Sequence, residues 1–306
     1  MHSKGVHRNG EGPKERNDER SLSNESDTGS RRALVCCLLP EKASRKRESP
    51  PWTKAKISDE DLLVEIRAEI LNSVFTDEGY KKIWKRMRKR GIKASGRRVN
   101  QLMRDNNLLS VTRPKPDIKV NEHTGTITTE MPNRMWGTDG KKFYTMQEGW
   151  CWFFGVIDHF NDEIMAWYSA KKGDRFAAME PLKMAVQKTF GNLDRDVCID
   201  IGLFLRTDHG SQYDSNDFQK ELKFLGLVYS PAFVRSPECN GIIERFHRTL
   251  DEQVFDKQVF ESLEQARLAI AKFIEDYNRE WLLHRLGLTS PLGYRHDFEK
   301  GKNDAA

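Results

Sequence analysis

The sequence predicts an α/β protein in which a mixed sheet with flanking helices is preceded by an all-α helix-turn-helix domain. Three observations lead there. Apolar residues recur at helical spacing between residues 58 and 104, strand-like runs between turn signals fill residues 134 to 169, and helices alternate with strands from about residue 179 onward. At roughly 150 residues per domain, a chain of 306 residues has room for about two domains.

Residues 1–56 mix Ser, Asn, Gly, Lys, Arg and Glu without a sustained apolar period and read as a disordered or weakly ordered basic arm. Order is expected from Ser58, which with Asp61 makes a capping-box-like start to a helix bearing Leu62, Ile66 and Ile70. Tyr80, Ile83, Trp84 and Met87 then repeat at helical spacing as far as Gly91. Ser95 caps a further run with Val99, Leu102 and Met103. Residues 57–111 therefore form the helical domain, and Pro114 and Pro116 mark 112–130 as a linker. The second domain, 131–296, opens with strands at 134–145, 150–158 and 163–169, an antiparallel meander. A helix through Met179, Leu182, Val186 and Phe190 follows, then a strand at 202–207, a helix through Phe218, Leu222 and Leu225, and a strand at 227–230. Ile243, Phe246, Leu250 and Val254 mark one more helix, and Ser262 with Gln265 caps the last, leaving 297–306 as a tail.

Charge is concentrated. Eleven Lys or Arg and no acid lie between Lys81 and Arg104, although the whole chain carries only +5. With apolar faces packed together, Lys82, Lys85, Arg86, Lys89, Arg97 and Arg98 are expected to point outward, the electrostatic pattern of a helix-turn-helix DNA-binding unit. Membrane spanning is excluded: the apolar run Ala33 to Leu39 has seven residues, and mean hydropathy is −0.73. Five cysteines, at 36, 37, 151, 198 and 239, make neither a metal knuckle nor an even disulfide framework, which suits a reducing cytoplasm.

Three acids stand where acids are costly. Asp139 lies inside the first strand, Asp208 ends the apolar stretch Leu203-Phe204-Leu205, and Glu244 sits beside the apolar face of its helix. Two Asp on neighbouring strands and a Glu on a helix across them suit hard divalent cations such as magnesium or manganese. Two such ions roughly 4 Å apart clamp the attacking and leaving oxygens of an in-line displacement at phosphorus. Each acid alone also suits an ordinary turn or a solvated helix face.

Asp139 in Trp136-Gly137-Thr138-Asp139, Asp208 in Thr207-Asp208-His209-Gly210-Ser211-Gln212-Tyr213, and Glu244 in Asn240-Gly241-Ile242-Ile243-Glu244-Arg245-Phe246-His247 together carry a family resemblance. The chain resembles bacterial insertion-sequence transposases with a retroviral-integrase-type catalytic core. Thirty-five residues separate Asp208 from Glu244, the spacing that names this branch, and the stretch Tyr277-Asn278-Arg279 to Thr289-Ser290-Pro291 is similar to the family's closing motif. The resemblance implies a ribonuclease H-like fold, with Asp139, Asp208 and Glu244 as catalytic metal ligands for two Mg²⁺ ions, Mn²⁺ substituting. It further implies DNA strand transfer by a homo-oligomer acting on terminal inverted repeats and target DNA, with a partner open reading frame product as a further candidate partner. The expected location is the bacterial nucleoid.

The pattern is broken at two places. The family more often follows its first Asp with an apolar residue and Thr, where this chain has Gly140 and Lys141. Seven residues after its Glu the family commonly has Lys or Arg against DNA, where this chain has Asp251. Arg248, on the same helical face as Glu244, His247 and Asp251, is the candidate replacement cation, and Asp251→Lys is expected to tighten DNA binding.

Other chemistry-bearing residues have simpler readings. Asp158 closes a strand and suits turn chemistry, Cys239 lacks a basic neighbour in sequence, and His209 and His247 suit structural hydrogen bonds as well as substrate contact. Trp150, Trp152, Phe153 and Phe154 read as a strand buried on both faces. Beside a transposase, the residues also fit a catalytically decayed DNA-binding regulator or a nuclease without strand transfer.

Overall fold

A computed structural model describes residues 57–111, 127–208, 210–231 and 240–303. The basic arm, most of the linker, His209 and Cys239 lie outside them.

Three helices form the first domain: α1 (Asp59–Asn72), α2 (Tyr80–Lys89) and α3 (Gly96–Asp105). The Ser58 side chain accepts from the Asp61 amide at 3.0 Å and Ser95 from the Arg98 amide at 3.2 Å, so both expected caps form. Between α2 and α3 the chain turns through Gly91 at φ +87°, a conformation that disfavours any residue with a Cβ. Leu62, Ile66, Ile83, Met87, Val99 and Met103 make the buried core of the trio.

The second domain is built on one sheet of five strands in the order β3-β2-β1-β4-β5, the mixed arrangement of a ribonuclease H-like fold. Its strands are β1 (Met135–Thr145), β2 (Gly149–Asp158), β3 (Ile164–Ala170), β4 (Phe204–Thr207) and β5 (Val228–Pro231). The first three form the expected antiparallel meander, and β4 pairs parallel with β1. Helices α4 (Arg175–Phe190) and α5 (Asn216–Leu225) cover one face, burying Leu182, Val186, Phe218 and Leu222 against Trp136 and Phe154. Helices α6 (Gly241–Leu250) and α7 (Leu263–Glu280) cover the other, burying Ile243, Phe246, Ile270 and Phe273 against Phe143 and Phe153. Successive β2 residues Phe153 and Phe154 thus enter opposite cores, as expected for a strand buried on both faces, whereas Trp152 is only partly buried and Trp150, at the start of the strand, is exposed.

The sheet is locked to the end of the chain by polar groups as well. Asn278 of α7 donates to the Ile164 carbonyl and accepts from its amide, both at 2.9 Å, which satisfies a buried stretch of β3. Downstream, α8 (Pro291–Asn303) brings Arg295 to the turn after β2, where it pairs with Asp158 at 2.8 Å and Glu163 at 2.7 Å. Arg285 pairs with Asp162 in the same turn. The expected tail from residue 297 is therefore helical through Asn303, and Asp158 is a structural acid. Among the described residues no helix is long and apolar enough to cross a membrane.

The two domains share packing. Phe75, from the loop after α1, inserts among the residues under α6 and α7 and meets Trp281 edge-on at 4.8 Å. Thr76 exchanges two backbone hydrogen bonds with the Gln253 side chain, at 3.1 and 3.0 Å. Lys82 and Arg86, expected to face outward, turn toward this junction. Lys82 is buried with its ammonium 3.0 Å from the Trp281 ring centre, and Arg86 pairs with Glu78 and reaches the Glu280 carbonyl. The apolar periodicity of α2 could not anticipate this, because the surface that covers its basic side lies some two hundred residues downstream. Arg98 is also committed, to Asp59 at 2.6 Å and the Ile57 carbonyl at 2.7 Å. Lys89 and Arg97 are exposed and Lys85 is half-buried.

Candidate active site

Alternation along β1 puts Asp139, Lys141 and Phe143 on the face covered by α6. The pairing of β1 with β4 ends at Gly137 opposite Arg206, and two further steps in that register bring Asp208 beside Asp139. From α6, Glu244 projects from the exposed side near the same strand ends. Asp208 and Glu244 both lie near enough for their charges to act on Asp139, and Asp208 acts on Glu244. Among the described residues no three His, Cys, Asp or Glu side chains converge closely enough to hold a metal ion as they stand.

The electrostatics are those of an uncompensated anionic site. Burial, and then the neighbouring charge of Asp208, push the Asp139 carboxyl up to about 7; Glu244 adds to the rise, while the Gly140 amide and Lys141 oppose it. The Glu244 carboxyl is likewise raised, first by burial, with Arg248 pulling it down. Arg248 thus lies near Glu244, as its position one turn away requires.

Asp139 is held from two sides. Its Oδ1 accepts from the Gly140 amide at 2.7 Å, and its Oδ2 lies 3.5 Å from His247 Nδ1. Burial drives His247 down to about 3, with Lys141 contributing, so the ring is neutral and acts as a dipole at the acid. Edge-on contact with Phe153 fixes its plane. Tyr213, from the motif containing Asp208, is fully buried near Asp139 and Asp208, and burial keeps it a phenol. Sequence reasoning gave Tyr213 no role; its place within the Asp208 motif was the available signal.

Gly140 has a steric reason. A Cβ there would lie 2.5 Å from the Phe154 ring, which is fully buried and stacked on Trp152. An apolar side chain after Asp139 and a Phe at 154 are thus mutually exclusive. Gly140→Ala is expected to cost about 1–3 kcal/mol by overpacking, and a compensating Phe154→Leu to recover part of it. Urea unfolding midpoints check both, and an unchanged midpoint for Gly140→Ala would show that the ring yields freely.

Asp251 does not face outward as an unbalanced acid. It pairs with Lys141 at 2.7 Å, so Asp251→Lys would set two ammonium groups together in place of the expected gain in DNA affinity. Neither departure from the family pattern shows this pairing when each residue is read within its own motif.

Two family profiles, both described as Integrase core domain, match residues 129–237 and 229–288, together more than half of the chain. The chain belongs to the integrase-core family. An HTH-like domain profile matches residues 58–116, ahead of the integrase core. The Escherichia coli protein named Transposase InsD for insertion element IS2A/D/F/H/I/K is 29% identical over 259 residues, 81% of this chain and 82% of that protein. A second E. coli relative, the Insertion element IS2A uncharacterized 48.2 kDa protein, is 29% identical over 270 residues; the match spans 84% of this chain but 62% of that longer protein. The integrase-core family to which the chain belongs is one of polynucleotidyl transferases, the DNA transposases and integrases.

Among solved structures, a chain of a simian T-cell lymphotropic virus intasome in complex with PP2A regulatory subunit B56 gamma superposes with a TM-score of 0.45. It is 14% identical and covers 76% of this chain and 74% of its own. The HTLV-2 integrase catalytic core domain in complex with magnesium gives 0.41 at 16% identity, covering 55% of this chain and 99% of its own.

Proposed function

We propose that the protein binds the ends of its mobile element and cleaves and joins DNA strands there in a metal-dependent reaction. The observation that carries this reading is the group of mutually repelling acids near the strand ends, with Asp139 partly buried and raised to about 7 beside a neutral His247. Crowded like charges of this kind persist where added positive charge offsets them. The donor set is all oxygen, which fits a hard divalent cation: magnesium with manganese as substitute, two ions per site, held by Asp139, Asp208 and Glu244. Such ions would supply Lewis-acid stabilisation of charge on the phosphoryl oxygens. His247 and the Gly140 amide flank Asp139 for that task, and the buried Tyr213 nearby stays neutral.

The substrates fitting this reading are the terminal inverted repeats and target DNA, handled by a homo-oligomer on the nucleoid in the cytoplasm, with a partner open reading frame product as a further component. The test is gel analysis of a labelled duplex taken from the DNA flanking the reading frame, incubated with the protein and Mg²⁺. Joined strands support the reading. Nicks alone would make the protein a nuclease, bound but uncut DNA a regulator, and equal rates in EDTA would sink the metal requirement.

Recognition is assigned to the exposed cations of the first domain, Lys89 and Arg97, with the half-buried Lys85 beside them and Arg248 nearer the acids. Arg97→Ala is expected to flatten the slope of log affinity against log salt by about 0.9, one phosphate contact. Lys82→Ala is expected to leave that slope unchanged, because its ammonium lies on Trp281. Fluorescence anisotropy across a salt series measures both, and the reverse order would place the junction on the DNA.

A further inference from the structure

Two of the three residues that depart from the family pattern, Lys141 and Asp251, meet in space. Lys141 stands two positions after Asp139 on the same face of β1, and Asp251 begins a π-helical turn, Asp251–Phe255, that continues directly from α6. Lys141 Nζ lies 2.7 Å from Asp251 Oδ2, with the two side chains 22% and 33% exposed. The wider turn is closed by the Asp256 amide on the Asp251 carbonyl at 2.8 Å, fixing the backbone from which Asp251 reaches β1.

A partly exposed ion pair adds little to stability, so the pair is better understood by where it places a charge. A lysine alone would sample many rotamers on its four-carbon stem. Held by Asp251, the ammonium stays on the strand that carries Asp139, and that acid and His247 both feel its charge. A phosphodiester approaching Asp139, Asp208 and Glu244 meets repulsion from all three. Lys141 is a cation on the same face of the same strand, with enough exposure to meet an incoming phosphate oxygen while Asp251 keeps one side of it.

We propose that Lys141, aimed by Asp251, binds a phosphate of the DNA strand beside the bond that reacts. Relative to the family pattern the cation is then moved onto β1, where the family has Thr, and an acid stands after α6, where the family has the cation. Asp251 is a positioning residue, acting through the lysine. This inference rests on the reading of the site as one that cleaves DNA.

The test uses the full chain with the labelled flanking duplex and Mg²⁺, following single-turnover cleavage, KM and the salt slope of binding, with urea midpoints to show that each variant folds. Lys141→Ala should raise KM about tenfold or more, the scale of a lost charged hydrogen bond, and reduce the salt slope by about 0.9. Asp251→Asn should keep the slope, because the lysine remains charged, and lower kcat several-fold. Lys141→Asp should abolish cleavage, and adding Asp251→Lys should restore a measurable part of it by returning a cation to the same pair of positions. Cleavage by the wild-type chain with Lys141→Ala unchanged in KM and slope overturns the inference alone, as does an exchanged pair no better than Lys141→Asp. A wild-type chain that leaves the duplex whole overturns the reading of the site, and this inference with it.

Discussion

Asp139→Ala is expected to remove cleavage and strand transfer by on the order of a thousandfold or more while leaving DNA affinity within about twofold. On the proposed reading the loss is large because this acid stands nearest the centre of the site: its carboxyl is pushed up first by burial and then by Asp208 and Glu244, and it is flanked by His247 and the Gly140 amide. Affinity survives because the exposed cations Lys89 and Arg97 lie on α2 and α3, on elements of the other domain. Asp139→Asn should fail nearly as badly, since it keeps the shape and removes the charge. Single-turnover cleavage measured beside anisotropy separates the two effects. Asp208→Ala and Glu244→Ala belong to the same experiment, and a variant that still turns over takes its residue out of the site.

Arg295→Ala is the second large effect, and it falls on stability. The guanidinium joins Asp158 at 2.8 Å to Glu163 at 2.7 Å, and both acid side chains are almost completely buried. Burial already raises the Asp158 carboxyl against two backbone amides and this arginine. Removing the arginine strands two acids with one partner fewer each, and deletion of one member of such a buried group costs about 3–5 kcal/mol. Arg295→Lys should fall between, because a point charge cannot serve both acids with the arginine's fork. Urea denaturation reads the difference directly. A midpoint for Arg295→Ala equal to the wild type would mean that the acids take up a proton or another partner at little cost.

Much of the fold was legible because periodicity is a local property. The meander, the two caps at Ser58 and Ser95, and the alternation of helices and strands after residue 175 all follow from short-range pattern and are present. Helix α8 was missed because Pro291-Leu292-Gly293-Tyr294-Arg295 shows no apolar period; the helix is held chiefly by Arg295 and by Phe298 against Phe160. The same limit governs the site. Motif spacing brought Asp139, Asp208 and Glu244 together on paper, since the family pattern encodes which strands are neighbours. It could not show that Lys141 meets Asp251 or that Lys82 meets Trp281, because those pairings depend on how α6 crosses β1 and how the first domain settles on the second.

The insertion of Phe75 beneath α6 and α7, with Trp281 at its edge and Thr76 clasped by Gln253, has a consequence for measurement. A reader of sequence tethered by a slack cord would let the cutter act at variable distances from what is read. Here, within one protomer, Phe75 of the first domain is buried in the core under α6 and α7, so the domain proposed to read and the domain proposed to cut are joined by packing as well as by the chain. On the proposed reading of the site the molecule is then a gauge: the number of base pairs between the recognised sequence and the bond that reacts would be set by the packing of one phenylalanine.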